Sequence, residues 1–339
     1  MKKYFITGLV ATAVLMSGAA MAAPKYADVK VPKNIQAIVA YNAGGSSDAL
    51  ARVMLPFWEQ KVEELTGKKP NAIVVNLPGA GGEIGWTSLS YAKKDGSTIG
   101  VINLPAVPLV EAARVAKYAP WLEKFAPIGV NIIDPNVVRL QKDAKYATLK
   151  DAFDAAKAKP GSVTVGADGP LSDDHMAVYA MAAKYGAEFT FVPYSGGAPA
   201  NKAFQSGEVD IAVGNVFDHL KTKGSAKDAM VLRPSRYTSM DAMKDVKTAK
   251  ETIGIDVGDL GSTRGWAAPA GIPADLMKVY REAFAMAVND PEYKKAALKR
   301  NITIVDPLVG DDFGAFMKDQ QALVGELLDL FVKGGYIKK

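Results

Sequence analysis

The chain has 339 residues, with 41 Lys+Arg against 36 Asp+Glu for a net charge of +5, two histidines and no cysteine. That composition excludes disulfides and removes most of the usual ligands of a transition-metal site. The basic residues are scattered, with no dense basic run and no aromatic RNA motif, which speaks against nucleic acid as a partner.

The N-terminus opens with Lys2 and Lys3, an uncharged apolar run from Phe5 to Met16, and the small residues Ala20 and Ala22 around Met21. This is the layout of a cleavable secretory signal, and the run is shorter than the ~20 residues that span a bilayer. Cleavage is expected near Ala22/Ala23, which places the protein in the periplasm. Residues 1–22 hold two lysines and no acid, so their loss leaves +3. No cysteine follows the run to carry a lipid anchor. At ~150 residues per domain, the remainder fits two domains.

The predicted elements then alternate. Ile35 to Tyr41 reads as a strand. Ser46 to Leu65 reads as an amphipathic helix with Leu50, Val53, Met54, Phe57, Val62 and Leu65 on one face and Pro56 inside it. Ala72 to Asn76 is a strand, Glu83 to Lys93 a helix and Thr98 to Leu104 a strand. A β-α-β-α-β series of this kind predicts a parallel sheet covered by helices. The scheme repeats with a helix over Thr148 to Lys159, a strand over Val163 to Ala167 and a helix over Asp173 to Tyr185. A strand over Phe189 to Val192, a helix over Pro199 to Ser206 and strands over Val209 to Val213 and Ala229 to Leu232 follow.

Residues 234–262 are polar and turn-rich and read as a long connection. After them come the apolar Gly265 to Ala268 and three helices near Pro273–Val288, Pro291–Arg300 and Asp311–Val332. A helix-rich tail with few strands is better used to complete the first unit than to fold alone. The expected division is 1–22 signal, 23–130 first lobe, 131–235 second lobe, and 236–339 connection and completion of the first lobe. The chain then crosses twice, near Ile128–Pro135 and within 234–262, and two crossings make a hinge over a cleft.

Three glycine-rich loops carry the chemistry. In Tyr41-Asn42-Ala43-Gly44-Gly45-Ser46-Ser47-Asp48 a strand turns into a helix N-terminus, whose N–H groups and dipole suit an anion. The same residues also serve as an ordinary N-cap with an acid in the first turn. The second loop, Asn76-Leu77-Pro78-Gly79-Ala80-Gly81-Gly82-Glu83-Ile84-Gly85, has more glycine than a turn requires. It lacks the third glycine of a dinucleotide fingerprint, and no Gly-Lys-Ser/Thr follows, so no phosphate cofactor is expected. The third is Val192-Pro193-Tyr194-Ser195-Gly196-Gly197-Ala198-Pro199. Beside it, Gly169-Pro170-Leu171-Ser172-Asp173-Asp174-His175 offers Ser172 as an N-cap. It also puts His175 in a first turn, able to donate toward the cleft or to serve structurally. A Ser N-cap has already committed its oxygen, and no Gly-x-Ser-x-Gly elbow is present, so catalysis is not expected. An exported hydrolase is the enzyme alternative.

Taken together these loops resemble those of the substrate-binding receptors of tripartite tricarboxylate transporters, the Bug receptor family. The resemblance also runs through Leu50-Ala51-Arg52, Phe125-Ala126-Pro127-Ile128-Gly129, Ser206-Gly207-Glu208-Val209-Asp210 and Gly265-Trp266-Ala267-Ala268-Pro269-Ala270-Gly271-Ile272-Pro273. It implies a Venus-flytrap periplasmic binding protein of the α/β class, with two Rossmann-like lobes joined by two crossings. It further implies a monomer that takes a small carboxylate to membrane permease subunits, with no cofactor or metal; a sensory receptor presenting the same ligand would look identical. Mapped onto this chain, the ligand residues are Tyr41, Gly45, Ser46, Asp48, Ala80 and Gly81 from the first lobe. Those of the second are Ser172, His175, Tyr194, Ser195 and Asn215. The chain departs from the family's common pattern at Ala40, Ala43, Ser195 and Gly214. Gly214 replaces an acid that could hold a ligand ammonium, which argues against an amino acid.

Overall fold

The computed structural model describes residues 23–333; the expected export signal lies outside them. The first lobe begins with β1 (Asn34–Val39), α1 (Ser46–Thr66), β2 (Asn71–Asn76), α2 (Glu83–Ser90) and β3 (Thr98–Leu104). Helices α3 (Ala106–Ala113) and α4 (Trp121–Lys124) lead into β4 (Phe125–Gln141). The second lobe carries α5 (Leu149–Ala158), β5 (Thr164–Asp168), α6 (Asp173–Tyr185), β6 (Thr190–Tyr194) and α7 (Gly197–Ser206). It continues with β7 (Ile211–Asn215), α8 (Val216–Thr222), β8 (Ala226–Val231), β9 (Lys247–Thr248) and α9 (Ala249–Ile253). The chain returns to the first lobe through β10 (Gly261–Pro269), α10 (Ala274–Asn289), α11 (Pro291–Lys299), β11 (Leu308–Val309) and α12 (Asp311–Lys333).

Each lobe has a parallel βαβ face. In the first, β1 lies between β2 and β3, all parallel; in the second, β5 lies parallel between β6 and β7. The sheets are mixed, because β10 runs antiparallel to both β3 and β4. Strand β4 belongs to both lobes: residues 125–135 pair with β10, and residues 136–141 pair with β7 and β8. The expected crossing at 128–135 is therefore part of one continuous strand. Its first part pairs with β10 and β11, its second with β7 and β8, and nearly every residue of it is buried or half-buried.

The amphipathic reading of α1 holds, with one shift. Leu50, Val53, Met54, Val62 and Leu65 are buried with Trp58, while Phe57 only packs partly against the same cluster. Each such buried side chain contributes ~1.5–3 kcal/mol. Pro56 lies on the exposed side of α1, where its missing donor faces water. Gly67 ends α1 in the left-handed region at φ 72, its N–H donating to the Glu63 carbonyl.

The 234–262 segment is not the plain connection expected. It contains β9 and α9, and the Thr248 hydroxyl and Glu251 carboxylate cap α9 reciprocally. Strand β10 begins at Gly261, earlier than the apolar run from Gly265 predicts.

Candidate functional site

The lobes meet along a seam of polar contacts. Asn42 Nδ2 donates to the Ser195 carbonyl at 2.7 Å and to Ser195 Oγ at 2.9 Å. Lys221 Nζ donates to the Gly44 carbonyl at 2.8 Å. Gly81 stands at φ 65, and a Cβ there would sit 2.9 Å from the Pro170 carbonyl oxygen of the other lobe. Only glycine combines that backbone with that approach.

Behind the seam lies a cavity of about 20 Å³ open to the centre of a water molecule, room for one or two waters at ~10–15 Å³ each. A larger guest enters only when the lobes part. The first lobe contributes Tyr41, Gly45, Ser46, Ser47 and Asn103 to its wall. The second contributes Asp168, Asp173, Gly197 and Asn215, and the returning strand β10 adds Ser262 and Arg264. The wall is thus built at the carboxyl ends of β3, β5 and β7 and at the N-termini of α1, α6 and α7. This is the crevice position at which open α/β sheets bind ligands.

On the first-lobe side, Gly45 is the N-cap of α1 and no side chain caps it. The first-turn N–H groups of a helix have no intrahelical acceptor and sit at the positive end of its dipole. Asp48 does not close this end. Its carboxylate accepts from the Gly44 N–H at 2.9 Å and from Arg52 Nε at 3.0 Å. Burial opposes its charge, but Arg52 and the Gly44 N–H hold its pKa below the usual range. Asp48 therefore braces the loop.

On the opposite side a buried network sets the geometry. Arg264 Nη1 donates to Asp134 Oδ2 at 2.8 Å and Nη2 to Asn215 Oδ1 at 2.5 Å. Asn215 Nδ2 donates in turn to Asp173 Oδ2 and to the Asp134 carbonyl, both at 3.1 Å. The pairing of β10 with β4 slips between Thr263 and Gly265, and a bulge there re-aims the intervening Arg264 side chain. Burial pushes Asp134 up to about 6 despite Arg264. Burial and the neighbouring Asp173 hold Asp168 well above the carboxylate range. Four polar atoms of this wall are sealed from water without a hydrogen-bond partner: Asn103 Oδ1, Asp168 Oδ1, Ser262 Oγ and Arg264 Nε. Such atoms cost ~1–3 kcal/mol each unless something satisfies them. Their convergence on one cavity marks a place for a polar guest. Despite the acids, no group of three or more His, Cys, Asp or Glu among the described residues could hold a metal ion.

Of the residues singled out in the sequence, Tyr41, Gly45, Ser46 and Asn215 line the cavity. Ser195 lies on the seam, as does Gly81 beside Ala80. Ser172 accepts from the His175 N–H at 3.1 Å, as an N-cap does. His175 does not point a donor at the cleft as one reading of the sequence had it. Its ring is fully buried and stacked on Phe191, Nδ1 accepts from the Leu171 N–H at 3.0 Å, and burial drops its pKa to about 3. With both groups so engaged, Ser172 and His175 do not form a nucleophile and base. The Tyr194 hydroxyl donates to Glu208 at 2.8 Å instead of entering the cavity.

Asn103, Asp168, Ser262 and Arg264 escaped the sequence reading. They stand on three strands distant in sequence, β3, β5 and β10, and only sheet order, such as Arg264 opposite Asn103, brings them together. Their one sequence signal was a polar or charged residue within or ending an apolar strand.

A family model described as tripartite tricarboxylate transporter family receptor matches residues 60–330. The chain is 25% identical over 308 residues to a Cupriavidus necator protein described as the UPF0065 protein in the gbd 5' region, with 88% of each chain covered. Its fold is similar to that of the periplasmic binding protein BugD, with a TM-score of 0.77 at 21% identity, covering 91% of this chain and 100% of that one. It is also similar to MatC from Rhodopseudomonas palustris, solved with bound malate, with a TM-score of 0.74 at 20% identity, covering 87% of this chain and 98% of that one. No helix among the described residues is long and apolar enough to cross a membrane.

Proposed function

We propose that this chain, which belongs to the tripartite tricarboxylate transporter receptor family, closes its lobes over a small carboxylate in the periplasm and delivers it to the permease of such a transporter. The family is one of solute-binding receptors and not of enzymes. The observation that carries the ligand class is the uncapped N-terminus of α1 facing a cavity wall of unpartnered buried polar atoms. The bound malate of MatC, a protein of the same fold, supports the same class.

In this reading the first-turn N–H groups of α1 and the Ser46 hydroxyl receive the carboxylate. Each hydrogen bond to a charged acceptor contributes ~1.5–3 kcal/mol. Tyr41 and Asn215 close the sides, while Ala80, Gly81 and Ser195 act at the seam. Residues 23–135 with 261–333 move against residues 136–260 about β4 and the return into β10, so the segment 236–260 travels with the second lobe and not, as its sequence suggested, with the first. Residues 1–22 serve as the export signal. Only the closed, loaded shape then presents both lobes correctly to the permease.

A thermal-shift screen of mono-, di- and tricarboxylates tests this. A ligand at a hundred times its Kd stabilises the folded state by ~2.7 kcal/mol and raises the melting temperature accordingly. A panel in which no carboxylate shifts the transition would refute the reading.

A further inference from the structure

The polar seam has an apolar counterpart. Phe313, Met317, Val324 and Phe331 of α12 share one buried cluster with Leu171 and Met176 of the second lobe. Helix α12 lies along the first lobe, against α3 and β4, and its last turn reaches past them onto α6. There the Phe331 ring is fully buried. It stands edge-on to His175, with ring centroids 5.5 Å apart, and tilted against Tyr179 at 5.8 Å. His175 is fixed to receive it. Its ring stacks on Phe191 at 4.2 Å, and its Nδ1 accepts from the Leu171 N–H. None of Phe331, His175 and Tyr179 lines the cavity. The chain joins the two lobes at β4 and again at the return into β10, so parting them draws the end of α12 off α6 and wets this aromatic contact.

We infer that Phe331 is a latch: the last turn of α12 docks on His175 and Tyr179 of α6 as the lobes close, and so sets the closed fraction of the receptor from outside the cavity. This rests on the reading that the lobes close over a guest, and it concerns how that closing is poised. Aromatic rings gain from edge-on contact beyond the area they bury, and the closed form alone takes this surface out of water. A ligand that binds the closed form has its apparent affinity reduced by the fraction that is closed. Loosening the latch therefore weakens every ligand by one common factor, whereas loss of a cavity contact changes one ligand against another.

The chain has no cysteine, so Lys69→Cys and Lys202→Cys, exposed positions one in each lobe, can carry a pair of nitroxide labels. Pulsed electron resonance then reads the interlobe distance without ligand and with each carboxylate that shifts melting in the screen. Phe331→Ala, and Tyr179→Ala from the facing side, should each lower the closed fraction without ligand about three- to ten-fold. Saturating ligand should restore the wild-type closed distance. Calorimetry should show affinity reduced by that same factor for every carboxylate the wild type binds. The double variant should open little further than either single one, because both remove the same contact. Phe331→Leu, which keeps an apolar side chain in the cluster, should fall between wild type and Phe331→Ala and serves if the latter does not fold; melting without ligand identifies the folded variants. Unchanged distances and affinities in folded Phe331→Leu and Tyr179→Ala would overturn the latch and leave the receptor reading standing. Shifted distances with no carboxylate bound by the wild type would support the latch and overturn the ligand class instead.

Discussion

Arg264 Nη1 and Asp134 Oδ2 lie 2.8 Å apart where β10 and β4 join the lobes, with side-chain exposures of 4% and 2%. An ion pair this dry offsets its desolvation only while both members remain. Arg264→Ala should therefore cost ~3–5 kcal/mol in urea unfolding, because it strands the Asp134 carboxylate. Arg264→Met combined with Asp134→Asn should recover most of that loss. Equal losses in the single and double variants would show that the pair itself is not the source.

Gly81 faces the Pro170 carbonyl across the seam. Gly81→Ala adds left-handed strain of ~1–2 kcal/mol whether the lobes are open or closed. The 2.9 Å clash arises only on closing. Affinity for the ligand found in the screen should fall about ten-fold or more, equivalent to ~1.4 kcal/mol, beyond any change in unfolding free energy. Calorimetry beside chemical denaturation separates the two.

Asn42 ties the lobes through two contacts to Ser195. At ~0.5–1.5 kcal/mol per neutral hydrogen bond, Asn42→Ala should speed ligand release several-fold in stopped-flow measurements. Ser195→Ala, which keeps the carbonyl acceptor, should have the smaller effect. Equal release rates in all three proteins would remove the seam from the closing mechanism.

Stability should follow pH in opposite senses at the two kinds of buried group. Asp168 is raised in the folded state, so its contribution is full below the unfolded value of ~3.9 and fades as pH climbs toward its folded value. His175 and His219 drop to about 3 and about 4 through burial; their contributions are present above ~6.5 and fade as pH falls. Asp168→Asn should thus gain on the wild type as pH rises from 4 to 8, by up to ~1.4 kcal/mol per unit, while both share the acid limb set by the histidines. Parallel stability curves for the two proteins would contradict the raised carboxyl.

The βαβ units were legible because their periodicities and caps are local. Helix α1 was expected over Ser46–Leu65 and runs Ser46–Thr66, while α6 matches its expected span from Asp173 to Tyr185. Strand β4 was not, since Pro127, Gly129, Asn131 and Pro135 mimic a turn and only distant partners make them a strand. Helix α3 was missed because Pro108 interrupts its pattern. Gly45 pointed to the α1 side of the cavity, where loop and helix are adjacent in sequence. The rest of the cavity lining stayed hidden because Asn103 on the α1 side and Asp168, Ser262 and Arg264 beyond it become neighbours only through sheet order, and the charge of one strand is answered from another.

The central claim is that the carboxylate sits on the first turn of α1, and Gly45→Asp tests it most directly. Gly45 has φ −80, and a Cβ there meets nothing nearer than the Asn42 carbonyl at 3.5 Å, so the fold accepts a side chain while a negative charge enters the carboxylate's place. Calorimetric titration of this variant with the tightest ligand of the wild type should show affinity reduced a hundred-fold or more, with melting without ligand little changed. Wild-type affinity in Gly45→Asp would place the ligand elsewhere and contradict the account.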